Sequence, residues 1–233
     1  MPLPKALSNV KFKTEGNLLI SPDEVDNRGP RVRVNRLSGA VYVVGKRQLT
    51  VKGPILKEED YINHALDIIE KQTWSEKNLS GPEGAQIMIQ AVPVDSKREV
   101  QPLHQKNVIV TFKRQIDVNG VSINFLDSGG VIRVQMNNDG SLLNASKVWR
   151  QIVDMKKLVR VKKYEEAYQE ALRQMKNPRA YKLDDWTWGY KEAAGSVGQT
   201  DLRIVFQFGF VPVDPETQTE YPPRMIEIPG QIM

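Results

Sequence analysis

The sequence predicts an α+β fold made of two related units, each with one long helix packed across an antiparallel sheet. The clearest sign lies at 131–149, where apolar and polar residues alternate from Ile132 to Met136, as in a half-buried strand. The dipeptide Asp139-Gly140 follows, and Asp-Gly between apolar runs is a strong hairpin signal. The same turn predicts a left-handed backbone conformation at Gly140.

One order of elements occurs twice along the chain: strand, glycine turn, strand, helix, strand, strand. Apolar positions with helical spacing predict the two helices at 56–72 and 164–176. The pattern of the second half recurs more faintly in the first half, as in a duplicated domain. We therefore expect an extended N-terminal arm over 1–30, a first α+β unit over 31–120 and a second over 121–233.

Composition and charge exclude several classes of protein. The chain has 233 residues, of which 40% are hydrophobic and 26% are charged, as in ordinary globular proteins. The absence of cysteine excludes disulfides, thiolate zinc sites and cysteine nucleophiles. A net charge of +5 is too small to indicate nucleic-acid binding, and the densest basic run, 156–163, is typical of a solvated linker.

Membrane-spanning and targeting segments are not visible in the sequence. No apolar run approaches the length of a membrane span. The N-terminal residues lead into polar sequence and lack the apolar stretch of a signal peptide. We therefore expect either a cytoplasmic protein or an exported protein whose targeting segment is absent from this chain.

The sequence contains no catalytic motif that we can identify. The two histidines, His64 in the first predicted helix and His104 in a polar loop, have neither metal-ligand nor triad spacing. The adjacent carboxylates Asp184 and Asp185 point to opposite sides of a strand, so they cannot form an acid–base pair by themselves. We expect no catalytic, cofactor-binding or metal site, although a carboxylate pair assembled from distant loops stays open.

The second half carries a series of short motifs in a fixed order. VNGVSI is followed by GGVIRVQMNNDGSLL and VW, then by Glu165-Glu166-Ala167, the aromatic strand at Trp186 and a last strand at 202–208. This order resembles the PepSY group and the fungalysin/thermolysin propeptides (FTP), and the resemblance extends over about 61–228. The chain is also similar to the tandem-domain extracytoplasmic regulators of cell-wall sensor kinases.

The resemblance has clear implications for fold and function. It implies two cystatin-like units, a cell-envelope or secreted location, and inhibitory or regulatory binding to a protein, with no chemistry of its own. We therefore expect a non-catalytic, extracytoplasmic interaction module without a cofactor. Its partner would be a peptidase, a sensor or another envelope protein. A cytoplasmic location stays open.

An uncharged apolar run, AQIMIQAVPV at 85–94, is the first candidate contact surface. If this strand lies at the edge of a sheet, its backbone would accept an added strand from a partner, with Ile87, Met88 and Ile89 as contact residues. The alternative is an internal strand paired on both sides, which is also typical of apolar runs without charge.

Three aromatic residues in one strand form the second candidate surface. Trp186, Trp188 and Tyr190 alternate along the strand and therefore project to one face. An open face would provide a platform for a sugar or a peptide, whereas a closed face would be core beneath a helix. A glycan- or cell-wall-binding module is therefore the second functional hypothesis. An enzyme with a dispersed site is the third.

Overall fold

The computed structural model describes residues 11–21, 31–44, 55–92, 104–118, 120–126, 129–152, 159–199, 201–214, 216 and 221–231. The chain divides into two units, and each unit draws on separate stretches of sequence. The first unit consists of Met1–Ile116, Ser128–Arg150 and Ala193–Gly198. The second consists of Asp117–Asp127, Gln151–Glu192 and Gln199–Met233.

The first unit is built on an eight-stranded sheet in which all neighbouring strands are antiparallel. The strands, in their order across the sheet, are β1 (Lys13–Glu15), β2 (Leu18–Ile20), β3 (Arg31–Asn35), β4 (Val41–Val44), β10 (Leu142–Val148), β9 (Val131–Met136), β6 (His104–Lys113) and β5 (Gln86–Val92). The predicted hairpins at 31–44 and 131–149 are both confirmed, and Gly140 has the predicted left-handed backbone with φ of +79°.

One face of this sheet packs against helix α1 (Glu58–Lys71). The helix begins with three acidic residues, which complement the positive end of its dipole. Tyr61, Ala65 and Ile69 recur at helical spacing and are buried against β-strand residues such as Phe112 and Val134. The opposite face of the sheet carries no described helix.

The second unit is built on a five-stranded sheet. The strands, in their order across the sheet, are β13 (Arg224–Pro229), β12 (Arg203–Pro212), β11 (Tyr181–Lys191), β8 (Val121–Leu126) and β7 (Gln115–Val118). β11 pairs with β8 in parallel, through Tyr190 opposite Phe125. Gly189 permits this pairing, because a Cβ atom there would collide with the backbone oxygen of Asn124.

Helix α2 (Tyr164–Arg173) packs on β12 and β13. Ala167 and Ala171 are fully buried, and the small side chains let the helix approach the phenylalanine row of β12. That row consists of Phe206, Phe208 and Phe210, whose successive ring centroids are 6.2 and 6.4 Å apart.

The predicted α+β fold with one long helix in each unit is wrong. The described chain is mainly β-structure, with thirteen strands in two sheets and helices of only 14 and 10 residues. Eight strands about 4.8 Å apart make a sheet about 34 Å wide, whereas fourteen helical residues span about 21 Å. The sheets therefore dominate both units, and the helices cover only part of one face.

The expected pair of repeated cystatin-like units is overturned for a related reason. The β9–β10 hairpin belongs to the second half of the sequence, yet it lies between β4 and β6 in the sheet of the first unit. The predicted division into 31–120 and 121–233 therefore differs from the two observed units. Of the predicted arm at 1–30, only 11–21 is described, and it contains β1 and β2.

Candidate functional site

The candidate contact strand lies at the end of the eight-stranded sheet. β5 covers Gln86–Val92 and pairs with β6 on one side, and no described strand pairs with its other side. The outer side of an edge strand presents backbone N–H and C=O groups that can pair with a further strand. The described part of the run predicted at 85–94 thus forms an edge strand, at Gln86–Val92, rather than an internal one.

The three predicted contact residues have different environments along β5. Ile87 is half-buried and packs against the core beneath α1. Met88 is 60% exposed and lies opposite Ile109, on the face away from α1. Ile89 is 48% exposed and lies opposite Val108, on the α1 face. Two apolar side chains on opposite faces of one edge strand are therefore accessible to a partner.

A short turn fixes the start of β5 against β6. The backbone N–H of Ser80 donates to the carbonyl of Lys113 over 2.8 Å, and the N–H of Lys113 donates to Ser80 Oγ over 3.1 Å. A single 3-10 turn at Pro82–Gly84 then leads into the strand. This reciprocal pair holds β5 in register beside β6, because it anchors the chain immediately before the strand.

β5 differs from the other strands that end a sheet. Among the described edge strands, β1 carries Lys13 and Glu15, β7 carries Asp117, and β13 carries Arg224 and Glu227. Charged side chains on an edge discourage pairing with another chain. β5 contains no charged residue and no proline over its seven residues. It is therefore the one described edge that lacks this protection.

The aromatic row of β11 lies on the face of its sheet that carries α2. Trp188 and Trp186 lie 6.4 and 6.5 Å from Phe206, between ring centroids, and Trp186 lies 4.6 Å from Tyr164 of α2. Tyr190 packs against Phe125 of β8 at 5.7 Å. The structure thus brings the three predicted residues onto one face.

Exposure differs strongly within this row. Trp188 contributes to the core beneath α2, whereas the Trp186 side chain is 46% exposed. Burial raises the pKa of the neighbouring Tyr164 phenol, with smaller contributions from nearby Tyr168 and Glu165. The row is therefore partly core and partly surface, with Trp186 as its accessible member.

His64 and the described part of the basic run do not assemble into a site. His64 lies against Gly140 at the β9–β10 turn, and His104 begins β6 rather than lying in the predicted loop. Within the basic run, Lys162 pairs with Glu170 at 2.6 Å, whereas 153–158 lies outside the described residues. Among the described residues, no three His, Asp or Glu side chains could together hold a metal ion.

Sequence reasoning missed the face of the eight-stranded sheet that lies opposite α1. Arg33 in RVRVN and Arg133 in VIRVQM each lie between apolar residues of their strands, and both project to this face together with Tyr42. An arginine at such a position is the signal that could have identified the face, because the alternation places it opposite the buried residues.

Comparison with known proteins gives information about the fold alone. No family model matches the chain, and no curated protein matches it. It is similar to the crystal structure of an uncharacterized protein from Eubacterium rectale, with a TM-score of 0.53 and 8% sequence identity. The match covers 97% of this chain and 74% of that chain. Neither of the helices in the described ranges is long and apolar enough to cross a lipid bilayer.

Proposed function

We propose that this protein is a non-catalytic interaction module that binds an extended segment of a protein partner by strand addition to β5. The observation that carries the proposal is the contrast among the edge strands: β5 alone of the described edges has no charge to prevent pairing. An extended segment of the partner would become the ninth strand of the sheet in the first unit.

The two components of such binding have separate origins. Backbone hydrogen bonds along the outer side of β5 would provide affinity with little dependence on sequence. The exposed side chains of Met88 and Ile89 would provide selectivity, because they offer apolar contacts on both faces of the added strand. Methionine suits this role, since its flexible thioether adapts to partner side chains of different shape.

The cellular setting of the proposal rests on the motif resemblance alone. A regulatory or inhibitory module outside the cytoplasm or in the cell envelope would meet a peptidase, a sensor or another envelope protein. Strand addition fits such a role, because it can hold a partner's flexible segment in one extended conformation.

The test is selection of extended peptides on the intact chain. Random peptides displayed on phage are selected against the wild type and then measured against Met88→Lys and Ile89→Lys. We expect each substitution to weaken binding at least about tenfold, since it places a charge beside the added strand. Met225→Lys is the matched control, because Met225 is 64% exposed on β13, an edge strand that already carries charge.

Two results would contradict strand addition at β5. One is failure to select any peptide that binds the wild type in a saturable manner. The other is peptide binding that Met225→Lys weakens as much as Met88→Lys does. Circular dichroism and the melting temperature of each variant would establish that the fold is intact.

A glycan-binding module remains the second candidate, because the Trp186 ring is 46% exposed beside Tyr164. Exposed aromatic rings can stack on the apolar face of a sugar. Soluble cell-wall oligosaccharides would then bind the wild type and Met88→Lys equally and would fail to bind Trp186→Ala. Peptides that bind at β5 would instead bind Trp186→Ala as well as the wild type and would bind Met88→Lys more weakly. The two functions are therefore separable.

A further inference from the structure

The face of the eight-stranded sheet opposite α1 contains a groove of about 430 Å³. Its size falls within the range of small-molecule sites. We call it the open-face groove, and all its lining residues belong to the first unit. The lining residues that matter here come from five neighbouring strands: Arg33, Tyr42, Val44, Ile109, Arg133 and Ser146.

One row of groove residues runs straight across four strands. Arg133 lies opposite Ser146, and Ser146 lies opposite Tyr42. Tyr42 in turn lies opposite Arg33. Neighbouring strands are about 4.8 Å apart, so the backbones of the two arginines are separated by about 14 Å. The row therefore has a cationic residue at each end and two hydroxyl groups between them.

A second row lies beside the first and is partly apolar. Its residues, in order, are Ile109, Gln135, Asn144 and Val44. The Nδ2 of Asn144 donates to Oε1 of Gln135 over 3.0 Å, so these two amides partly satisfy each other. Ile109 and Val44 remain as apolar surface on either side of the amide pair. The open-face groove therefore offers an apolar surface next to two cations.

The two arginines differ from the half-buried lysines of the same chain. Lys147 Nζ lies 2.6 Å from Glu76 Oε1, and Lys162 Nζ lies 2.6 Å from Glu170 Oε2. Neither groove arginine has a carboxylate partner in the described part of the chain. In the ranges that the structure describes, the buried Nε atom of Arg33 moreover has no hydrogen-bond acceptor.

A buried guanidinium donor without an acceptor is unfavourable, because it has left water without gaining a hydrogen bond. Most buried polar groups in proteins do have a partner. The planar guanidinium group matches the oxygens of carboxylates and similar anions, with which it forms short, charge-assisted hydrogen bonds. An anionic ligand would therefore supply the acceptor that Arg33 lacks and balance the charges of both arginines.

We propose that the open-face groove binds a small, elongated organic dianion with an apolar body. One anionic group would pair with Arg33 and the other with Arg133, at opposite ends of the row. The apolar body would lie over Tyr42, Val44 and Ile109. This site does not require strand addition at β5. The inference therefore goes beyond the proposed function, and ligand binding in the groove can be tested independently of peptide binding at β5.

The test uses bis-ANS, an elongated aromatic molecule with two sulfonate groups, titrated into the intact chain by fluorescence. We expect one saturable site per chain, with an affinity that falls as the salt concentration rises. Arg33→Gln and Arg133→Gln should each raise the Kd at least about tenfold, and the double variant should abolish saturable binding. Arg173→Gln is the matched control, because Arg173 is an exposed arginine of α2.

A neutral probe separates charge pairing from simple hydrophobic binding. N-phenylnaphthylamine corresponds to one anilinonaphthalene half of bis-ANS without its sulfonate, and it should bind much more weakly and without the salt dependence of bis-ANS. Arg33→Lys and Arg133→Lys keep the charge without the planar guanidinium and should weaken bis-ANS binding less than glutamine does. The lysine variants also keep the test valid if a glutamine variant does not fold.

Three results would overturn the proposal. The first is the absence of saturable bis-ANS binding to the wild type. The second is a Kd in both glutamine variants equal to that of Arg173→Gln. The third is a loss of affinity in only one of the two glutamine variants, which would exclude a dianion held at both ends.

Discussion

The phenolic hydroxyl of Tyr61 donates a hydrogen bond to the backbone carbonyl oxygen of Asn138 over 2.8 Å. This contact joins α1 to the β9–β10 turn, far apart in sequence, and the Tyr61 side chain is almost fully buried. The helix is therefore fixed to one face of the eight-stranded sheet at a defined position. The opposite face, which carries the open-face groove, and the β5 edge are left without a described helix.

Removal of this hydroxyl should destabilise the first unit without changing its packing. Tyr61→Phe keeps the buried ring but removes the donor to the Asn138 carbonyl and the acceptor of the Leu56 N–H at 3.2 Å. We expect a loss of about 1–2 kcal/mol in the free energy of unfolding. Urea denaturation with the wild type as reference measures the effect. A variant as stable as the wild type would mean that the contact does not hold α1 in place.

Gly140 should be far less tolerant of a side chain than Gly120, although both have φ near +79°. A Cβ atom at Gly140 would lie 2.8 Å from Cδ2 of His64, whereas one at Gly120 would meet nothing within 4 Å. Left-handed backbone costs about 1–2 kcal/mol at either position, and displacement of the exposed His64 ring should add about 0.5–1.5 kcal/mol at Gly140 alone.

The crowding at Gly140 can be isolated with a second substitution. His64→Ala should recover most of the additional loss in Gly140→Ala, because it removes the ring that the new Cβ would meet. Thermal denaturation of the two single variants, the double variant and Gly120→Ala measures the effect. Equal losses at Gly140 and Gly120, with no recovery, would contradict the contact.

The β9–β10 turn should show a specific dependence on pH. The side-chain hydroxyl of Ser141, and next its backbone N–H, hold the pKa of Asp139 below its usual value. The ionised form therefore stabilises the turn above about pH 4, and this contribution is lost as the pH falls through the lowered pKa. The effect is small, because the carboxylate is largely exposed to water.

Ser141→Ala should raise the pKa of Asp139, since it removes the strongest donor, the Ser141 hydroxyl at 2.6 Å from Asp139 Oδ1. NMR titration of the Asp139 carboxyl carbon measures this directly. An unchanged pKa in the variant would show that the hydroxyl does not stabilise the carboxylate.

Substitution of the two β11 tryptophans should show, from the loss of stability, which ring belongs to the core and which to the surface. Trp188 belongs to the core beneath α2, so Trp188→Ala should cost about 3 kcal/mol. Trp186 is 46% exposed and buries less of its ring, so Trp186→Ala should cost less, about 1–2 kcal/mol. Urea denaturation measures both. Equal losses would show that Trp186 is as much part of the core as Trp188.

Local pattern was sufficient to predict several elements of this fold. The alternation at 131–136 and the Asp139-Gly140 dipeptide specify a hairpin through nearby residues alone, and the structure contains it. The number of strands in each sheet could not be predicted in this way. Placement of β9 and β10 between β4 and β6 depends on pairing between distant segments. The α+β prediction did not include this pairing, and it therefore underestimated the size of the sheets relative to the helices.

The candidate sites show the same division between local and distant information. The uncharged run at 85–94 identified β5, but only the sheet order shows that it is an edge. The shared face of Trp186 and Trp188 followed from alternation, whereas the contacts with Phe206 and Tyr164 depend on the tertiary fold. The Arg33–Arg133 row was not predicted, because its members come from separate strands that align only in the folded sheet.

Amide hydrogen exchange along β5, with and without a peptide selected on the intact chain, tests strand addition most directly. We expect peptide binding to protect backbone amides within Gln86–Val92, and Met88→Lys to remove that protection. The amides of β13, the charged edge of the other sheet, should be unaffected. Peptide binding that protects another strand while exchange in β5 stays unchanged would contradict the proposed function.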